Sequence, residues 1–324
     1  MVKKVTLLLL GLTALVASSV WAEDAVIARK AAQSLVLGIE ALSDNRLVAV
    51  GERGHVLVSE DQGKSWKQVP SPTQATLTAV TFVNDKVGYA VGHEQVIIKT
   101  TDGGNSWQLQ YHQEQDLDYP ALLDVWFHDE NHGVATGAYG LYLMTEDGGK
   151  TWEFVPLDDL EDPEFGLPHF YSFDFDKKNK RLYMAGEIGS IAVSEDLGKS
   201  WKALPSPYEG SFFRVKVTEA GTVHAMGLRG NLFRSADGGQ TWKEIDTGST
   251  ASINDVVNVT ATKLVYVCSD GVILVSNNDG LSVVKHQRKD RSALSSAVKV
   301  DDFKVVLGGE KGLFNADDNG LSNP

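Results

Sequence analysis

Ser59-Glu60-Asp61-Gln62-Gly63-Lys64-Ser65-Trp66 returns, barely altered, along almost the whole chain. The clear copies run from Thr100 to Trp107 (TTDGGNSW), Thr145 to Trp152 (TEDGGKTW), Ser194 to Trp201 (SEDLGKSW) and Ser235 to Trp242 (SADGGQTW). A decayed copy, Ser276 to Val283, has lost both the Asp and the Trp. Another, Asn315-Ala316-Asp317-Asp318-Asn319, meets the end of the sequence before a Trp can follow. Seven units result.

The octapeptide reads as a sharp hairpin turn. Ser or Thr and Asp carry short acceptors for nearby backbone amides, Gly tolerates positive φ, and the closing Trp is a wedge for packing between sheets. A buried Trp removes about 150–250 Å² from water, a gross gain of a few kcal/mol at ~25 cal/mol per Å². Asp61, Asp102, Asp147, Asp196 and Asp237, with Trp66, Trp107, Trp152, Trp201 and Trp242, are therefore read as structural rather than catalytic.

Spacing selects the architecture. Trp66 to Trp107 is 41 residues, the next steps are 45 and 49, and the steps to Trp242 and Val283 are again 41. Periods of about 40–50 suit a four-stranded propeller blade. One unit holds short β-patterned runs at residues 77–83, 87–91, 96–100 and 107–111, and no long helical period competes with them. The expectation is an all-β, seven-bladed propeller of four-stranded antiparallel blades, occupying residues 23–324 as a single domain. The last unit ends soon after its third strand, so residues 24–35 are expected to supply an outer strand and close the ring.

Lys3 and Lys4 precede an apolar run from Val5 to Val16, and Val20-Trp21-Ala22 offers small residues before Glu23. Residues 1–22 read as a signal peptide, giving an exported chain with no stable membrane insertion after cleavage. No Cys stands near the cleavage point. Cys268 is the only cysteine and sits in a strand-like run, a buried thiol without a disulfide partner. Without the leader, 28 basic face 43 acidic residues, and nucleic acid is a poor partner for that balance.

Chemistry-bearing motifs are absent: there is no Gly-x-Ser-x-Gly elbow, phosphate loop, His-Glu-x-x-His helix or paired Cys ligands. His93, His112, His128, His132 and His169 form no ligand spacing, and Asp158-Asp159-Leu160-Glu161-Asp162 could attract a cation but reads first as a solvated loop. No metal, cofactor or catalytic residue is expected.

In a four-stranded meander, the octapeptide turns lie on one face of the disc and the turns between second and third strands on the other. The latter would ring that face with Arg53, Glu94, Tyr139, Glu187, Arg229, Asp270 and Lys311. Crossovers between blades emerge there too. The two longer intervals enlarge them near residues 111–122 and 156–171, adding Tyr119, Phe165, His169 and Tyr171 beside acidic side chains. Loops on a rigid scaffold commonly carry recognition, so this face is the candidate partner-binding surface.

The Asp-box, or BNR, repeats resemble those of bacterial sialidases and related exported propellers. The seven short units resemble the photosystem II assembly and stability factor family more closely, over nearly all of residues 36–320. That resemblance implies a non-enzymatic scaffold assisting assembly of a membrane protein or envelope complex, in the periplasm or, in a photosynthetic organism, the thylakoid lumen. The alternative is a sialidase-like glycoside hydrolase or glycan-binding protein. Such enzymes need an arginine cluster, a Tyr–Glu nucleophile system and an acid Asp; the Phe/Tyr-Arg-Ile-Pro signature is missing, and Arg53 and Arg229 have no evident third partner.

Overall fold

A computed structural model describes residues 23–43, 45–113 and 120–321; the expected signal peptide lies outside them. Among the described residues the chain forms seven antiparallel sheets, six of four strands and one of three. Inner strands line a central channel: Val36–Ala41, Leu77–Phe82, Leu122–Phe127, Phe170–Asp176, Phe212–Val217, Ile253–Asn258 and Leu294–Asp301. In the second blade the four strands are Leu77–Phe82, Gly88–Gly92, Ile97–Thr100 and Gln108–Tyr111, each within one residue of the sequence-based reading.

Each octapeptide closes the turn before an outer strand. Asp147 accepts hydrogen bonds from the Thr151 amide (2.9 Å), the Thr151 hydroxyl (2.7 Å) and the Thr145 hydroxyl (2.9 Å), while the Gly149 amide donates to Thr145 Oγ1 (2.9 Å). These donors, led by the Thr151 amide, hold the Asp147 carboxyl down at about 2. Asn278 keeps the geometry in the decayed sixth copy by accepting from the Ser282 amide at 3.0 Å.

The Trp wedges work between blades. Trp107, Trp152 and Trp201 are buried, each in a cluster shared by its own blade and the preceding one. Trp66 and Trp242 occupy the same kind of seam but are only half-buried. Inner strands face neighbours on both sides: Val80 joins the first-to-second blade cluster, and Ala79 packs against the second-to-third. That sandwiching explains why both faces of the strand are apolar.

The ring closes where Val36–Ala41 packs against Leu294–Asp301. Ser295 Oγ donates to Val36 O there, Asn315 Nδ2 donates to Gly63 O (2.6 Å), and Lys304 Nζ to Gln62 O (2.9 Å). Residues 24–35 do not add the expected outer strand, and among the described residues the last blade has three strands. Their Ala-rich sequence lacks strand alternation. Instead, Ala25 and Ala28 amides donate to Ser71 O (2.9 Å) and Gln68 Oε1 (2.7 Å) of the first blade, and a short 3₁₀ turn, Ala31–Gln33, packs on the last blade's outer strand, Gly312–Asp317. Among the described residues, no helix is long and apolar enough to cross a membrane.

Candidate functional site

Two regions gather polar side chains away from the octapeptide turns. The first is the channel, a space of about 930 Å³. Every inner strand carries a bulge near its start, which shifts the register between its first and third residues or opposite them. Third-position side chains then reach the next blade: Asp124 accepts from the Phe173 amide (2.8 Å), Ser172 from Val215 (2.9 Å) and Asp255 from Ala297 (3.0 Å).

Arg214, at the same position, places Nε 2.9 Å from Asp255 Oδ1 and a terminal nitrogen 3.7 Å from Asp124 Oδ2. Lys216 pairs with Asp174 at 3.2 Å. Burial pushes Glu40 up to about 7, opposed by Lys216 and Arg214, and raises Asp124 against the pull of Arg214. Through these contacts Asp124, Arg214, Asp255, Lys216 and Asp174 tie neighbouring blades together across the channel.

The second region is the face bearing the crossovers. Short 3₁₀ turns join second and third strands: Glu52–Gly54, His93–Gln95, Ala138–Gly140, Leu228–Gly230 and Ser269–Gly271. At their tips Arg53, Glu94, Tyr139, Arg229 and Asp270 have φ of 56°, 58°, 54°, 59° and 54°, and all are exposed. Such left-handed positions are uncommon for residues other than glycine. These side chains stand exposed at the turn tips. Lys311 is exposed in the last blade's tighter turn.

The fourth blade departs from the expectation. Ile188, at φ 54°, takes the tip position, while Glu187 sits one place earlier and is half-buried. Aligning Gly186-Glu187-Ile188-Gly189 on its second glycine would have revealed the offset. Glu187 turns inward, accepting from the Tyr171 hydroxyl (2.9 Å) and the His169 amide (3.3 Å). Burial and Glu187 both raise the Tyr171 phenol, keeping it a neutral donor. Glu52 and Glu310 use the same register to accept the Leu35 and Ala293 amides at 3.3 and 3.2 Å.

Around Glu187 the structure assembles an aromatic row. Tyr139 meets His169 edge-on at 4.3 Å, His169 lies 6.3 Å from Tyr171, and Tyr171 meets Phe213 at 5.3 Å. Phe213 was not singled out from sequence; its signal is its position, the second residue of the fifth inner strand, matching Tyr171 in the fourth. Phe165 belongs to the enlarged loop of the same sector and is 65% exposed, and Tyr139 is 71% exposed. Tyr119 lies outside the described residues. Asp270 and Lys311 join a different sector, pairing with Arg291 (3.6 Å) and Asp290 (3.9 Å). Arg53 and Arg229 stand on the first and fifth blades. Among the described residues, no group of three His, Cys, Asp or Glu side chains is placed to hold a metal ion.

With this geometry in place, comparison decides the family. The family described as photosynthesis system II assembly factor YCF48 matches residues 64–323. The chain belongs to this family. It is 30% identical over 262 residues to the photosystem II assembly protein Ycf48 of Thermosynechococcus vestitus, covering 79% of this chain and 73% of that protein. A photosystem II assembly lipoprotein Ycf48 of Prochlorococcus marinus is 33% identical over 194 residues, covering 58% of this chain and 54% of the relative. Among solved structures, YCF48 bound to D1 peptide superposes with a TM-score of 0.70 at 16% identity, covering 93% of this chain and 97% of that one. The GH74 enzyme of Niastella koreensis reaches 0.69 at 15% identity, covering 90% of this chain and 53% of the enzyme. Likeness at such identities establishes the propeller alone, and the YCF48 family carries the argument toward function.

Proposed function

We propose that this protein is an exported, non-enzymatic scaffold that assists assembly or stability of a membrane protein complex, holding its client on the crossover face. The observation that carries the reading is the YCF48 family match over residues 64–323, joined to a face where a half-buried aromatic row ends in the exposed ring of Tyr139. Relatives named as lipoproteins support an extracytoplasmic location. We place the protein in the periplasm, or in the thylakoid lumen if its organism is photosynthetic. The D1 peptide of the structural relative motivates a membrane protein client here. The docking residues of this reading are Arg53, Glu94, Tyr139, Arg229, Asp270, Lys311, Phe165, His169 and Tyr171, with Glu187 as their inward support; Tyr119 belongs to the same expectation. A glycosidase has no comparable support, because the GH74 likeness is one of fold and Arg214 is engaged in the channel.

Affinity capture of the mature protein from solubilised envelope membranes tests the proposal. Recovery of one specific membrane complex is expected, reduced several-fold in an Arg53→Glu/Arg229→Glu variant that melts like the wild type. Recovery of no membrane complex would remove the reading and move effort to glycan arrays and hydrolase assays.

A further inference from the structure

The fourth blade breaks the pattern of its neighbours at the octapeptide end of the channel. Phe82 and Phe127, each the sixth residue of its inner strand, meet the Trp of their own blade edge-on, at 6.2 Å from Trp107 and 5.8 Å from Trp152. In the fourth blade Trp201 packs on Phe173 instead (6.0 Å). Phe175, at the matching strand position, lies 4.9 Å from Trp126 and 6.0 Å from His128. Phe175 and His128 line both the channel and an adjoining cavity of about 430 Å³.

Leu197 lines the same cavity. It sits at φ 64°, where the other complete octapeptides carry Gln62, Gly103, Gly148 and Gly238. A bulky apolar residue in the left-handed region is strained, and such strain recurs at ligand sites. Lys177 and Lys180 complete the wall. They belong to Lys177-Lys178-Asn179-Lys180-Arg181, a basic run in a chain where 43 acidic residues outnumber 30 basic ones. The nearby carboxylates are already engaged: Glu195 with Arg181 (2.8 Å), Asp196 with the Ser200 amide (2.9 Å) and hydroxyl (2.6 Å), and Asp176 with the Lys178 and Asn179 amides (2.9 Å each). Among the described residues, neither Lys177 nor Lys180 pairs with a carboxylate.

We infer that this cavity binds a small aromatic anion, a planar ring bearing a carboxylate or another oxyanion. The ring packs among Phe175, His128 and Leu197, and the two lysines, as uncommitted point charges, take the anionic group. The cavity lies on the face opposite the crossovers, so the inference goes beyond the scaffold reading and does not depend on it.

Calorimetric titration of the mature protein with 2-naphthoate, and with its cationic counterpart 2-naphthylmethylamine, is the test. One molecule of 2-naphthoate is expected to bind, at least about tenfold more tightly than the amine, and to weaken as salt rises from about 0.05 to 0.5 M. Lys177→Gln/Lys180→Gln should weaken 2-naphthoate about tenfold and spare the amine. Leu197→Gly, which installs the residue of three other copies and relieves the backbone, should weaken 2-naphthoate several-fold with little change in melting temperature. Equal or tighter binding of the amine, no binding of 2-naphthoate at millimolar concentration, or unchanged 2-naphthoate affinity in either variant would overturn the inference. Lysine-dependent binding to phosphatidylglycerol vesicles in the absence of 2-naphthoate binding would overturn it too, and would make the basic run a membrane contact.

Discussion

Arg214→Met is expected to destabilise the folded protein by about 2–4 kcal/mol at neutral pH, somewhat below a dry ion pair because the side chain is 33% exposed to the channel. The guanidinium bridges carboxylates of two other blades, and Asp124 and Asp255 must stay in place because each also accepts a neighbouring backbone amide. Removing the cation takes the counter-charge from Asp124 and leaves Glu40 opposed by Lys216 but no longer by Arg214. The pH dependence has a definite sign. Glu40, raised to about 7, and Asp124, also raised, disfavour the folded state once ionised, so stability from these groups is present at low pH and lost as pH rises through their folded values. Loss of Arg214 raises both further. Denaturant unfolding of wild type and variant should therefore show a gap that is wide at pH 8 and narrower at pH 5. A pH-independent gap would mean that the arginine acts by packing alone.

Gly137→Ala is expected to cost at least about 3 kcal/mol, the second large effect. The turn into the crossover face is fixed by the Ala138 amide, which donates to Ala121 O at 3.0 Å. A Cβ on Gly137 would lie 2.1 Å from that same oxygen, and moving the backbone away would break the bond. The sixth blade supplies a control. Cys268 occupies the matching position at φ −131°, and the Ser269 amide still reaches Ser252 O at 2.9 Å. This blade already accommodates a side chain, so Cys268→Ala should cost only about 1 kcal/mol, the loss of one small buried group. Comparable thermal shifts for the two variants would show that the glycine is not required by the turn.

The fold was legible because its information is local and repeated. Each octapeptide encodes a turn through its own Ser or Thr, Asp and Gly, and each Trp announces the seam it fills, so strand boundaries in the second blade fell within one residue. The closure was less legible, since residues 24–35 had to be judged by what the last blade lacked. Ala31–Gln33 formed a 3₁₀ turn there instead of an outer strand.

The candidate face was half legible. Arg53, Glu94, Tyr139, Arg229, Asp270 and Lys311 follow from the short turns between second and third strands, but the hydrogen bonds of Glu187 to Tyr171 and His169 turn it inward. The channel network escaped because its partners are scattered: Asp124, Arg214 and Asp255 come from three blades, and only the shared third position of each inner strand links them. Long-range charge pairing has no local signature. Phe213 went unnoticed for the same reason, since its neighbour Tyr171 lies one blade away.

Photo-crosslinking in intact cells tests most directly whether the crossover face holds the client. A photoreactive residue placed at Tyr139 samples that face, and one placed at Lys150, in an octapeptide turn, samples the opposite face with both positions exposed. Crosslinks to one membrane protein from position 139 and none from position 150 are the expected result. Crosslinks from position 150 alone would place docking on the octapeptide face and contradict the account.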